Sequence, residues 1–235
     1  MTPEAFALSF FDPARDLYGT ARSGATLLFQ GRQPAAHADG PELTEDGDGW
    51  RAELEGRLSL RLEPVSAPVE LDGVTARVCT VSGEVDGRRV DCLGTFSITE
   101  VAPRWDELQA VRSISALVDE GNGLLALARR PRDAPGHGDE EVRAGLFIDG
   151  ELHQVEEARI STVYDGGGRQ RSAGLELWLP GEEYPRRGSG LVIAGSSFEL
   201  ERLQVHTAVF RWRLDGREGI GAYELMVRSV PPVAA

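Results

Sequence analysis

The sequence predicts an all-β, antiparallel protein made of two related units. Three observations lead there. β-type apolar alternation recurs along most of the chain, glycine-containing turns separate the runs, and one hairpin of the first half is echoed in the second. A chain of 235 residues has room for one large β domain or two small ones.

The strongest alternation is WRAELEGRLSLRLE, from Trp50 to Glu63. Trp50, Ala52, Leu54, Leu58, Leu60 and Leu62 fall on one face and charged or polar residues on the other, which reads as one long strand with a dry side. Shorter runs follow: VTARVCTV from Val74, VRSISALV from Val111, GLLALA from Gly123, AGLFIDG from Ala144, ARISTVYDG from Ala158, GLELWL from Gly174 and GLVIAG from Gly190. A second long strand is predicted over FELERLQVHTAVFRWRL, from Phe198. Turns with glycine break the series at DGR, DEGNG, IDGEL, YDGGGR and LDGRE. Only RWDELQAVR, from Arg104, suits a helical turn or two. The acidic, glycine-containing stretches AAHADGPELTEDGDG, from Ala35, and APGHGDEE, from Ala134, read as surface loops.

The echo joins CTVSGEVDGRRVDCLGTFSITE, from Cys79, to HTAVFRWRLDGREGIGAYELMVR, from His206. Each carries DGR, then a glycine, then an aromatic two residues on: Gly94 with Phe96, and Gly221 with Tyr223. The copies differ by a two-residue slip between turn and glycine, and each ends its half of the chain, PRWDE following one and PPVAA the other. The division this suggests is residues 1–103 and 104–235. Coincidence is the competing explanation, because DG between apolar alternations is the commonest hairpin signal. Such units either close as small barrels or stack as a sandwich; barrels remove exposed edges and suit long strands with one dry face.

Composition excludes several function classes. The 38 acidic against 25 basic residues give a net charge of −13, which opposes nucleic acid and anionic membranes as partners. No apolar run approaches the roughly 20 residues of a spanning helix, and MTPEAFALSF lacks a basic start and a cleavage pattern, so a cytoplasmic protein without membrane insertion is expected. All 25 basic residues are arginine, which rules out Schiff-base chemistry, lysine-anchored pyridoxal phosphate and a phosphate-loop lysine. With Asp86-Gly87 as a two-residue turn, Cys79 faces Gly94 and Cys92 faces Val81, so reduced thiols are expected. His37, His137, His153 and His206 show no metal-ligand spacing, and EDGDGW, from Glu45, lacks the distal acids of a calcium loop, so no metal and no cofactor is expected.

On a continuous strand His206, Ala208, Phe210, Trp212 and Leu214 share one face. With Asp215-Gly216 as the turn, Trp212 faces Gly219 and Phe210 faces Gly221. Glycine opposite a large ring leaves room for that ring or for a ligand against the backbone. These residues form either the floor of an apolar pocket with an imidazole at its rim, or a packed core.

RSISALVDEGNGLLAL from Arg112, AGLFIDGELHQVEEARISTVYDGGGRQRSAGLELWLP from Ala144 and RWRLDGREGIGAYEL from Arg211 together resemble the hydroxyneurosporene synthase (carotenoid hydratase) family. The opening FFDPARDLYGTARSG, from Phe10, is similar to that family's start and to related stress-survival proteins. The resemblance implies a pair of lipocalin-like β units, in a superfamily that includes hydratases of isoprenoid double bonds and cyclases of polyene chains. Carotenoid hydratases carry a histidine and a tryptophan close together on one strand, then a tyrosine and an aspartate. Here Thr207 and Ala208 follow His206, the nearest tryptophan is Trp212, and Tyr223 is followed by Glu224 with no aspartate two residues on. That departure weakens carotenoid hydration itself and leaves an apolar guest in place.

Hydrating or cyclising an alkene requires a proton donor and shelter for a carbocation, which a carboxylic acid in an apolar pocket and aromatic faces supply. The candidate acids are Asp165, after Tyr164; Glu176, which interrupts GLELWL with Trp178 on the same face; and Glu224, beside Tyr223. Candidate ligand contacts are His206, Phe210, Trp212, Tyr223, Trp178 and Tyr164. Two functions follow: an enzyme that hydrates or cyclises an isoprenoid- or polyene-like molecule in a β-barrel pocket, or a non-catalytic carrier or sensor of such a molecule. The oligomeric state is left open.

Overall fold

A computed structural model describes residues 5–134 and 139–228, in which every regular element is a β-strand. His137, the middle of the loop after Ala134 and the PPVAA tail lie outside the described residues. Among the described residues no helix is long and apolar enough to cross a membrane.

The first half supplies β1 (Phe6–Asp12), β2 (Leu17–Arg22), β3 (Ala25–Gln30), β4 (Gln33–His37), β5 (Glu42–Asp46), β6 (Gly49–Leu54), β7 (Leu58–Pro64), β8 (Val69–Glu70), β9 (Val74–Val85) and β10 (Arg88–Thr99). They form one antiparallel sheet in the order β4-β3-β2-β1-β10-β9-β7-β6-β5, with β8 paired to β9. The second half supplies β11 (Leu108–Asp119), β12 (Asn122–Pro131), β13 (Glu141–Ile148), β14 (Glu151–Gln154), β15 (Glu157–Tyr164), β16 (Gln170–Trp178), β17 (Arg186–Leu200), β18 (Leu203–Leu214) and β19 (Arg217–Arg228). Their order is β14-β13-β12-β11-β19-β18-β17-β16-β15. Reading β11 for β1, β12 for β2 and so on converts one order into the other, with β8 as the sole addition. The protein is two antiparallel half-barrels of one topology, and the repeat is a property of the fold.

The hairpin chemistry follows from the turns. Asp72-Gly73, Asp86-Gly87, Asp149-Gly150 and Asp215-Gly216 all hold both residues at positive φ, the primed turn whose twist matches paired strands. That geometry fixes the registers: Cys79 opposite Gly94, Cys92 opposite Val81, Trp212 opposite Gly219 and Phe210 opposite Gly221. Both thiols are free, and burial pushes each up to about 12.

Both long strands of the sequence reading are hairpins. Between Trp50 and Glu63 the chain turns at residues 55–57, with Gly56 at positive φ. Pairing Trp50 with Leu62, Ala52 with Leu60 and Leu54 with Leu58 keeps every apolar side chain on one face, so the alternation runs unbroken through the turn. Likewise β17 ends at Leu200 and β18 starts at Leu203, with Glu201 at positive φ. The helical turn expected near Arg104 is one hydrogen-bonded turn, after which Leu108 begins β11.

Three apolar cores result. Phe10, Leu60 and Phe96 lie inside the first half-barrel, Phe210, Trp212 and Tyr223 inside the second, and Phe11, Phe29, Val69, Leu125 and Val209 between the two.

Candidate functional site

The period-2 alternation that turns Tyr223 into the second half-barrel turns Glu224 the other way, toward the first unit. A cavity of about 100 Å³ lies there, walled by the central strands of both sheets. On the first unit Thr20, Ser9 and Thr95 stand side by side across β2, β1 and β10, with Arg22, Ala7 and Ser97 in the next row. On the second, Leu127, Ser113, Glu224 and Thr207 cross β12, β11, β19 and β18. Leu71, Ala76, Leu125 and Ala222 supply apolar wall.

Glu224 is buried and forms an ion pair with Arg22 across the units, while the Thr207 hydroxyl donates to its other oxygen at 3.0 Å. Arg22 also approaches the Met226 sulfur at 3.4 Å. An ion pair taken out of water is costly unless its geometry and remaining hydrogen bonds repay desolvation, so one held between two sheets calls for a role.

The interior of the second half-barrel is the other notable site. Phe210 stacks on Trp212 with ring centres 5.2 Å apart and lies 5.6 Å from Tyr223. The rings lie on backbone cleared of side chains: a Cβ at Gly190 would press into the Trp212 ring. The Tyr223 hydroxyl lies 2.7 Å from Thr162 Oγ1 and accepts from Arg112 Nη1 at 3.0 Å. Arg112 in turn pairs with Glu140, both side chains being 2 % exposed. Burial pushes the Tyr223 phenol up to about 12, so it stays a neutral hydrogen-bonding group. Gln170 ties this end together, donating to the carbonyls of His206 and Tyr223.

The structure thus separates the residues singled out in the sequence. His206, Phe210, Trp212, Tyr223 and Tyr164 face the second interior, whose aromatics are packed as a core. His206 bonds Ser197 Oγ through Nδ1 at 2.7 Å, and burial, then the nearby Arg169, lowers its pKa. Glu176 and Trp178 face outward. The Glu176 side chain is 39 % exposed and lies 3.4 Å from Arg187, while Arg159 caps the Trp178 ring 4.9 Å away. Glu176, without Trp178, lines a broad concavity along β15 to β17 whose wall mixes Arg159 and Arg187 with Ile160, Leu175 and the Arg112–Glu140 pair. Asp165 holds its own turn: the Arg169 and Gly167 N–H groups donate to it and lower its pKa. Of the three candidate acids, Glu224 is the buried one, and it borders the cavity between the units.

Sequence reasoning missed Arg22, Arg112 and Glu140. Arg112 did leave a signal, a charged residue on the dry face of an alternating strand, flanked at two-residue spacing by Ala110 and Ile114. Arg22 left none, since its partner lies 202 residues away. Among the described residues no group of three or more His, Cys, Asp and Glu is placed to hold a metal ion.

No family model and no curated protein matches the sequence. Solved structures match along nearly the whole chain. The structure of CghA has a TM-score of 0.62 at 12 % identity, covering 98 % of this chain and 89 % of that one. The fold is a doubled lipocalin-like one. Kievitone hydratase from Nectria haematococca matches with a TM-score of 0.61 at 8 % identity, over 98 % of this chain and 90 % of that one. An AttH-type protein of Nitrosomonas europaea gives 0.59 at 14 %, over 94 % and 91 %. At these identities the likeness is one of fold, and here the doubled lipocalin-like frame leaves a cavity between the units.

Proposed function

We propose that the cavity between the units binds an apolar, isoprenoid- or polyene-like small molecule, and that the Glu224–Arg22 pair acts on it during hydration or ring closure. The observation that carries this is a buried carboxylate on the wall of a largely apolar cavity between the units. Such a cavity with a few converging polar groups is the usual form of a small-molecule site. Alkene hydration and cyclisation pass through positive charge on carbon. The Glu224 carboxyl would deliver the proton that forms the new C–H bond, stabilise the resulting cation as a carboxylate, and regain a proton from the attacking water or from the carbon that loses one on ring closure. A hydratase among the proteins of like fold supports the choice of reaction.

A carrier or sensor is the second reading, and one observation favours it: both Glu224 oxygens are already engaged, by Arg22 and by Thr207. Native mass spectrometry of the purified protein, with organic extraction of whatever travels with it, tests binding. Glu224→Gln then separates the readings. For an enzyme it lowers turnover by about 10²-fold or more and spares binding. For a carrier the wild type converts nothing and the variant binds as before. A protein that rejects every isoprenoid and polyene offered refutes both.

A further inference from the structure

The wall of the cavity between the units is rich in hydroxyls. Ser9, Thr20, Thr95 and Ser97 come from the first unit, Ser113 and Ser115 from the second. Pairing Leu8 with Phe96 and Ile114 with Tyr223 makes Ser9 and Ser115 equivalent positions of the two repeats, so the two sheets meet serine to serine. Some of these groups are spent on the fold: Ser9 bonds Thr95 at 2.6 Å, and Ser115 Oγ accepts from the Ala222 N–H at 2.9 Å. Others are not. Among the described residues the half-buried hydroxyls of Thr20 and Ser113 have no hydrogen-bond partner, and they lie beside Arg22 and Glu224.

A hydrocarbon does not satisfy such a wall. Covering a hydroxyl with an apolar surface and giving it no partner costs free energy, so a site lined this way penalises a guest that has only carbon and hydrogen to offer. Size points the same way. A cavity of about 150 Å³ holds one benzene ring, so about 100 Å³ accepts one end of a long guest and not its whole length. The end that enters meets the hydroxyls of Thr20 and Ser113, and the rest of a long guest lies outside the cavity.

We infer that the guest of this cavity is an oxygenated isoprenoid or polyene, whose hydroxyl or carbonyl enters among Thr20, Ser113 and Arg22, and is not an unfunctionalised hydrocarbon. This rests on the small-molecule reading given above. Its oxygen accepts from Thr20 or Ser113, and the remaining carbons lie on Leu71, Leu125 and Leu127. Glu224, on the facing row, stands nearest to the first double bond behind that oxygen.

Farnesol and β-farnesene test this, because they share a carbon skeleton and the second has a further double bond in place of the hydroxyl. Isothermal titration of the full chain should give farnesol an affinity at least about ten-fold tighter, since a site that bonds a hydroxyl discriminates against the analogue lacking it. Thr20→Val and Ser113→Ala should each lower farnesol affinity several-fold and leave β-farnesene binding equal or tighter, with circular dichroism and Tm as checks that the variants fold. Equal affinities, with both variants indifferent, overturn the inference and leave an apolar site standing. A preference for farnesol that survives in the double variant also overturns it, because the oxygen is then read elsewhere. Rejection of both probes by the wild type fails the small-molecule reading, and this inference falls with it.

Discussion

Phe96 and Tyr223 stand at the same place in two sheets of the same topology, each two residues past a glycine on the last strand of its half. In the first half-barrel Phe96 stacks on Trp50 with ring centres 3.8 Å apart and on Phe6 at 6.4 Å, and the buried carboxylate on that face of β1, Asp12, sits at the strand's end beside half-exposed Arg15. In the second, the position of Phe6 is taken by Arg112: Phe6 faces Ile98 just as Arg112 faces Leu225. There the aromatic ring has gained a hydroxyl, and the hydroxyl binds Arg112 and Thr162. One repeat therefore surrounds this ring with apolar side chains and pairs its buried carboxylate with a half-exposed arginine, while its copy buries guanidinium and carboxylate together beside the ring. Shared topology fixes where side chains point and leaves open what they must do there.

The largest expected effect comes from breaking that difference. Arg112→Ala strands Glu140 without its cation and costs about 3–5 kcal/mol, as breaking a buried pair usually does. Replacing both partners, Arg112→Met with Glu140→Leu, makes the second interior resemble the first and should restore stability to within about 1 kcal/mol of the wild type or above it. Urea denaturation of the two variants measures both. A single variant that costs less than about 1 kcal/mol would mean the pair is solvated, and the contrast between the halves would collapse.

A smaller effect should be shared by the two halves. Each seats a ring on a glycine: a Cβ at Gly19 meets the Phe10 ring, and one at Gly190 meets the Trp212 ring. Gly19→Ala and Gly190→Ala should each cost about 1–3 kcal/mol by overpacking, read from the same denaturation midpoints. Similar costs sharpen the comparison by showing that the repeats share their packing rules and differ only in polar content. A harmless Gly190→Ala would show that the second interior yields where the first does not.

What the sequence made legible follows the same division. Strand periodicity, DG turns and the hairpin echo are local signals, and they gave the all-β class, the repeat and the facing of Trp212 on Gly219 and of Phe210 on Gly221. Turn positions at Gly56 and Glu201 were hidden, because the hydrophobic face continues through each reversal. The site was harder. Tyr223 and Glu224 are neighbours in the chain and were grouped as one pocket, yet alternation sends one into a barrel and the other to the opposite sheet. Glu176 and Trp178 share one face, and that face is the wet one: in GLELWL the alternation already sets Leu175, Leu177 and Leu179 on the dry side, so the outward facing of Glu176 is legible and the aromatic Trp178 is what misleads. Arg22 and Glu224 meet through the docking of two sheets, a contact no local pattern encodes.

The smallest effect is a pH dependence confined to the second half. Register places His206 opposite Leu225 and Thr75 opposite Ile98, so the position that titrates in one repeat is a threonine in the other. Burial, then the charge of Arg169, lowers the His206 pKa from 6.5, while Asp165 opposes them weakly. The folded protein therefore holds this proton less tightly than the unfolded chain does. Stability from this source is complete above about pH 6.5 and is lost as pH falls from there through the lowered value. Between pH 7.5 and 5.5 most carboxylates stay ionised, so the change in Tm over that interval reports on the four imidazoles, and its difference from the His206→Gln profile isolates this one. His206→Gln should flatten the profile in this window and leave the steeper acid loss below pH 5 unchanged. The same slope in wild type and variant would assign the sensitivity to another group and remove His206 from the list of differences between the halves.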